Sequence, residues 1–197
     1  MNVDAAKQSL LTEISRSRKL GAYGSTESIL DAVETLEQVS GNRGQYEPID
    51  GTWNLIYSTQ VNKNGGFSRS SSIFQLLSDT AYKFFFKFAP QLAGSSNSAG
   101  STTKNVQVID IAKSKVKNKV EIRDIIPIDI TVEGSCRTTA PNEVEICFLS
   151  TSINGFTVKL PSPKGTLTTV FNDGDLRISK GGQGGVFIVK KIADLDI

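Results

Sequence analysis

The chain has no histidine among its 197 residues. Imidazole is the commonest general base and metal ligand near neutral pH, so Ser-His-Asp sites, Cys-His sites and histidine-bearing zinc sites are excluded together. Only two cysteines occur, Cys136 and Cys147, too few for a four-thiolate metal site. Long apolar runs are missing as well. No window approaches the about 18 apolar residues that a membrane-spanning helix needs, and the first segment lacks the apolar core of a secretory signal, which predicts a soluble or peripheral protein. Asp4 and Glu13 break up the N-terminus, so it does not read as an acid-poor transit peptide; either a mature form or an organism that needs no import signal fits. Charge of one sign is scarce, with a formal net charge of +2 and no long Lys/Arg block, so nucleic acid is not expected as a partner.

What is present first is helical. From Asp4 to Lys19, Ala6, Leu10, Leu11 and Ile14 recur at helical spacing, and Arg16, Arg18 and Lys19 sit where the helix dipole favours cations. Ser25 caps a second expected helix, with Glu27 in its first turn and Ile29, Val33 and Leu36 as its apolar stripe, ending near Gly41. The period then changes to two at Gly51 to Thr59, where Trp53, Leu55 and Tyr57 share a face. Further strands are expected at 105–111, 119–126, 128–138, 144–152, 156–160 and 165–171, then from Leu176 and from Val186. Asn154-Gly155 and Asp173-Gly174 mark tight turns at positive φ, Gly181 to Gly185 turns the chain again, and Pro161 and Pro163 bracket a break. Ala93 to Thr103, rich in Ser, Gly and Asn, reads as a mobile loop. Roughly eight to ten antiparallel strands with regular turns predict a sheet closed on itself, because closure removes exposed edges. The fold class is mainly β with two N-terminal helices packed outside or at one end. One domain is expected, with residues 1–48 as its helical segment and 49–197 as the barrel.

The cysteines test strand register. A two-residue loop after Ala140 would place Cys136 opposite Cys147. That pairing would put the row Ile130, Val132, Cys136 and the row Val144, Ile146, Phe148 on opposite sides of the sheet, so a register shifted by one is predicted and the thiols stay reduced.

Two stretches carry a resemblance. Gly51-Thr52-Trp53 is similar to the Gly-x-Trp that begins the barrel in lipocalins and fibrillins. Pro163 to Gly181, with Asp173-Gly174-Asp175-Leu176-Arg177-Ile178-Ser179-Lys180-Gly181 before Val186-Phe187-Ile188-Val189, closely resembles the C-terminal signature of the plastid lipid-associated proteins, or fibrillins. With the two helices these parts occur in the family's order, over nearly the whole chain. The sequence departs from the pattern at Ser40-Gly41-Asn42-Arg43-Gly44, where the family has a proline-containing link, and after Thr59. The resemblance implies a lipocalin-like barrel without catalytic activity. It further implies binding or organisation of prenylquinones, carotenoids or acyl lipids at thylakoid or plastoglobule surfaces, in a plastid or on a cyanobacterial thylakoid. The alternative is a structural coat or adaptor with a filled barrel that contacts membranes and lipid-metabolic enzymes.

Candidate site residues follow from the alternation. Trp53 would plug the narrow end under a cation, Arg177 with Lys190 behind it. Trp53, Leu55, Tyr57, Val120, Ile122, Val132, Phe148, Val158 and Phe171 either line a ligand cavity or fill a dry core. Phe84, Phe85, Phe86 and Phe88, flanked by Lys83 and Lys87, form either an aromatic lid or interfacial anchor, or a buried core segment. Lys113, Lys115, Lys117 and Lys119, joined by Arg123, crowd one hairpin and either meet anionic headgroups or form a solvated turn. Asp173 with Asp175 and Asp124 with Asp129 sit at turns, where acids serve turn geometry. No catalytic residue, metal or cofactor is expected.

Overall fold

A computed structural model describes residues 1–19, 26–41, 47–59, 104–123, 127–162, 164–182 and 184–195. The expected cap Ser25, the Phe84 to Phe88 segment and the Ala93 to Thr103 loop lie outside them.

The two helices form where the apolar spacing placed them. α1 spans Val3–Lys19 and α2 spans Thr26–Ser40. Asn2 caps α1, its Oδ1 accepting from Ala5 N at 2.8 Å. α2 ends at Gly41, whose positive φ of 56° turns the chain while its N–H donates to Glu37 O.

Among the described residues nine strands follow: β1 Gly51–Ser58, β2 Lys104–Asp110, β3 Lys115–Arg123, β4 Pro127–Ala140, β5 Glu143–Ile153, β6 Phe156–Lys159, β7 Lys164–Asn172, β8 Leu176–Gly181 and β9 Val186–Ala193. Consecutive strands other than β6 and β7 pair antiparallel, β5 pairs with β7, and β1 pairs with β9, so eight strands close into a barrel. β6 stands apart from that ring. It pairs with the far end of β5, at Ser150 to Ile153, where β7 no longer reaches.

The helices pack outside the barrel, not over an end. Ala6, Leu10 and Ile14 of α1 and Ile29, Val33 and Leu36 of α2 share one cluster with Val170, Phe171, Leu176, Ile178, Val186 and Ile188. β8 is therefore buried on both faces, since Arg177 and Ser179, on its other side, are each 2% exposed. A second cluster, Ile109, Val116, Val132, Cys136, Val144, Ile146 and Phe148, occupies the inside.

The cysteine hairpin resolves as the apolar rows require. Ala140 faces Glu143 across a two-residue loop, yet Thr138 faces Val144 and Cys136 faces Ile146. A bulge at Thr139 supplies the one-residue shift, so both apolar rows face inward and both thiols are free.

Two local expectations need correction. β3 starts at Lys115, four residues earlier than alternation among its lysines suggested, because Val116 and Asn118 turn inward between them. The Asp173-Gly174 turn is also not a two-residue hairpin. Asn172 pairs with Arg177, leaving a longer loop in which Gly174 alone takes positive φ, at 88°. Asp173 acts through its side chain, whose Oδ1 accepts from Asp175 N and Leu176 N at 3.0 and 2.8 Å.

Candidate functional site

The barrel interior divides into an apolar and a polar half. Apolar side chains come from β2 to β5, in the cluster described above. The polar half carries Thr169, Asn172, Arg177 and Ser179 from β7 and β8, all buried, while buried Asn105 and Asn118 stand between the apolar side chains of β2 and β3. Arg177 on β8 donates to Oε1 of Gln107 on β2 at 2.5 Å. β9 and β1 separate those two strands in the wall, so the bond crosses the lumen.

Trp53 and Arg177 close the end where β1 begins. The indole is fully buried and donates from Nε1 to Ile49 O at 2.8 Å. The Arg177 guanidinium lies over the ring, 4.6 Å from its centroid, and donates to the same carbonyl at 3.3 Å. Gly51 allows this entry: with φ at 128°, a Cβ there would meet Lys191 Cε at 3.0 Å and Ala193 O at 3.1 Å. Lys190, expected behind Arg177, is exposed instead. A bulge between Thr52 and Trp53 pairs Trp53 with Lys191, whose Nζ lies 5.7 Å from the ring centroid.

Arg177 has no carboxylate against it among the described residues, and its Nε lacks a hydrogen-bond partner. Burial alone lowers its pKa, to about 9. The group therefore remains a cation at neutral pH, held by the ring and two neutral oxygens.

The remaining candidates are sorted by the register. Val132 and Phe148 belong to the inner cluster. Val120, 1% exposed, shares alternation with Val116 and turns inward. Leu55 is half-buried opposite Val189. Tyr57 and Phe171 do not line the lumen; both pack in the helix-facing cluster. Bulges between Leu55 and Tyr57 in β1, and between Thr169 and Phe171 in β7, rotate each to the outside. Val158 lies on β6 and is 44% exposed. The side chain of Ile122 falls outside the described residues, as do Phe84, Phe85, Phe86 and Phe88.

The lysine stripe is not a bare positive tip. Lys113 bridges Asp110 at 3.1 Å, Lys117 bridges Glu133 at 2.9 Å and Lys119 bridges Glu121 at 2.5 Å. Lysines at every second position of β3 point outward, opposite Val116, Asn118 and Val120. Neighbouring bases pull the Glu121 carboxyl below its usual range, chiefly through the Lys119 hydrogen bond.

Two helices on the outside of a closed barrel, and an indole under a late-strand guanidinium at the end where β1 begins, repeat the order the sequence suggested. The PAP_fibrillin family profile matches residues 4–190. The chain belongs to the PAP/fibrillin family. Its members are plastid lipid-associated proteins, generally structural and non-enzymatic, found with plastids and plastoglobules. No curated protein matches the chain. In this PAP/fibrillin barrel, what the alternation missed is the polar lumen half. Asn118, Thr169 and Ser179 look in sequence like solvent-facing strand residues. Asn118 pairs with Gln107, and Ser179, which pairs with Thr169, lies two residues along β8 from Arg177 on the same face.

Proposed function

We propose that this protein binds isoprenoid or acyl lipids without chemical turnover and organises them at a thylakoid or plastoglobule surface. The observation that carries the reading is the apolar lumen cluster inside a closed barrel, with Val120, Val132 and Phe148 among its walls. Each Å² of tail removed from water contributes about 25 cal/mol, so affinity needs no reactive group. Trp53 and Arg177 stopper one end, and a lipid enters from the other. The helices and barrel serve as one unit. Leu55 and Arg177 meet the ligand at the depth of the lumen, and Val158 meets it at the mouth.

Mass spectrometry of lipid extracted from protein purified under native conditions tests this. A prenylquinone, carotenoid or fatty acid in fixed stoichiometry is the expected result. Folded protein that neither carries nor takes up lipid, yet associates with vesicles, would favour a coat or adaptor with a filled barrel.

A further inference from the structure

The β5–β6 hairpin presents apolar side chains to solvent. Phe156 is 76% exposed, Ile153 45% and Val158 44%. Ile153 pairs with Phe156 and Thr151 with Val158, so strand alternation puts the three apolar residues on one face. Ser150, Ser152, Thr157 and Lys159 take the other face. The hairpin is amphipathic, and its apolar side is the one left uncovered.

That side continues the lumen wall. Ile153 stands opposite Ile130 and Thr151 opposite Val132, residues 4% and 6% exposed. The cross-strand row Ile130, Ile153 and Phe156 is thus apolar throughout and runs from the buried wall to the outside, at the end of the barrel away from Trp53. Its tip is braced by Asn154, which donates from its backbone to Asp129 O and accepts at Oδ1 from Asp129 N, both at 2.8 Å.

Charge favours an anionic neighbour. Leu149 to Leu160 contains no acidic residue. Among the described residues at this end, Glu121 and Asp129 are engaged by Lys119 and Arg123, at 2.5 and 2.6 Å. Lys104 and Lys159 are exposed there as well. A second copy of the chain fits less well. An aromatic side chain offers about 150–250 Å², and three apolar residues fall short of the about 800 Å² per partner in stable interfaces. Shallow insertion beside basic residues is the arrangement that suits a lipid surface.

We propose that the β5–β6 hairpin is the docking element for a lipid surface bearing anionic headgroups, with Phe156, Ile153 and Val158 entering the acyl layer and the lumen's apolar row leading from it. The assignment rests on the lipid role proposed above. Flotation with phosphatidylcholine vesicles, with and without phosphatidylglycerol, tests it on the full chain. Wild type is expected to float with the anionic vesicles. Phe156→Asp should weaken that binding about tenfold or more, whereas Ile192→Asp, at an exposed apolar position on β9, should not. In Phe156→Trp the new indole should be quenched by brominated acyl chains, while buried Trp53 in wild type is not. Equal flotation of wild type and Phe156→Asp, or no flotation of wild type, would overturn the assignment. So would a dimer that Phe156→Asp dissociates without changing flotation. Lipid content of the same preparations separates the two readings: bound lipid with an inert hairpin removes only the docking element, and hairpin-dependent flotation of lipid-free protein removes only the lumen reading.

Discussion

The guanidinium of Arg177 and the indole of Trp53 share one acceptor, the carbonyl of Ile49. The cation lies 4.6 Å from the ring centroid. This joins the linker before β1, the first strand and the eighth into a single stopper. A buried cation without an acid beside it is costly, and a desolvated cation–π contact recovers about 2 kcal/mol of that cost.

Shape should therefore matter more than charge at Arg177. Arg177→Met keeps most of the volume and removes the desolvation penalty, so its stability should stay within about 1 kcal/mol of wild type. Arg177→Ala leaves a void under Trp53 and should cost about 2–4 kcal/mol. Urea unfolding followed by emission of Trp53, the single tryptophan, reads both. Equal loss in the two variants would mean the charge itself holds the stopper.

The stopper was legible because Gly51, Trp53 and Arg177 are each the residue type their geometry demands. The Cys136 register was legible because misplacing one residue would turn whole apolar rows to the wrong side. Tyr57 and Phe171 were misassigned for the complementary reason: a bulge changes the face of a single side chain without altering the composition around it. Likewise, alternation in Phe156 to Val158 marks a face but carries nothing about whether another strand covers it. β6 is uncovered because β7 starts at Lys164, opposite Cys147, and leaves the end of β5 to β6 alone.

Gly134 tests the bulged wall directly. A Cβ there would meet the carbonyl oxygen of Cys147 at 2.3 Å, and backbone cannot swing aside as a flexible side chain can. Gly134→Ala is expected to cost about 3 kcal/mol or more through overpacking and lost β4–β5 pairing. Gly155→Ala, at φ 86° in open space, should cost only about 1 kcal/mol from backbone strain. Comparison of the two midpoints in urea checks the ranking.

The two thiols should differ sharply in reactivity. Cys147 is half-buried, whereas Cys136 is 3% exposed. Burial, followed by the nearby Asp50 and Asp110 carboxylates, raises the Cys136 pKa. Titration with a thiol reagent at pH 8 should modify Cys147 in the native state and Cys136 only after unfolding. Mutating Cys147 to Ser should abolish the native reaction. Two fast thiols would contradict the inward placement of Cys136.

The turn that ends the helix-docked surface should make stability acid-sensitive. Desolvation pushes the Asp173 carboxyl upward, but the Lys7 ammonium at 2.5 Å and the N–H groups of Leu176 and Asp175 together outweigh it and lower its pKa. A carboxylate whose pKa is depressed by folding adds stability above its unfolded pKa, here near 3.8, and loses that contribution as pH falls through the folded value. Asp173→Asn keeps an acceptor for the turn and removes the charge that meets α1. At pH 7 it should cost about 1 kcal/mol. The gap between variant and wild type should close as the pH drops below about 4, because the protonated wild-type group can no longer pair with Lys7. Urea midpoints at pH 7, 5 and 3 measure it. A gap of constant size would show that the ion pair between α1 and the turn contributes nothing, and that the Oδ1 hydrogen bonds alone set the worth of Asp173.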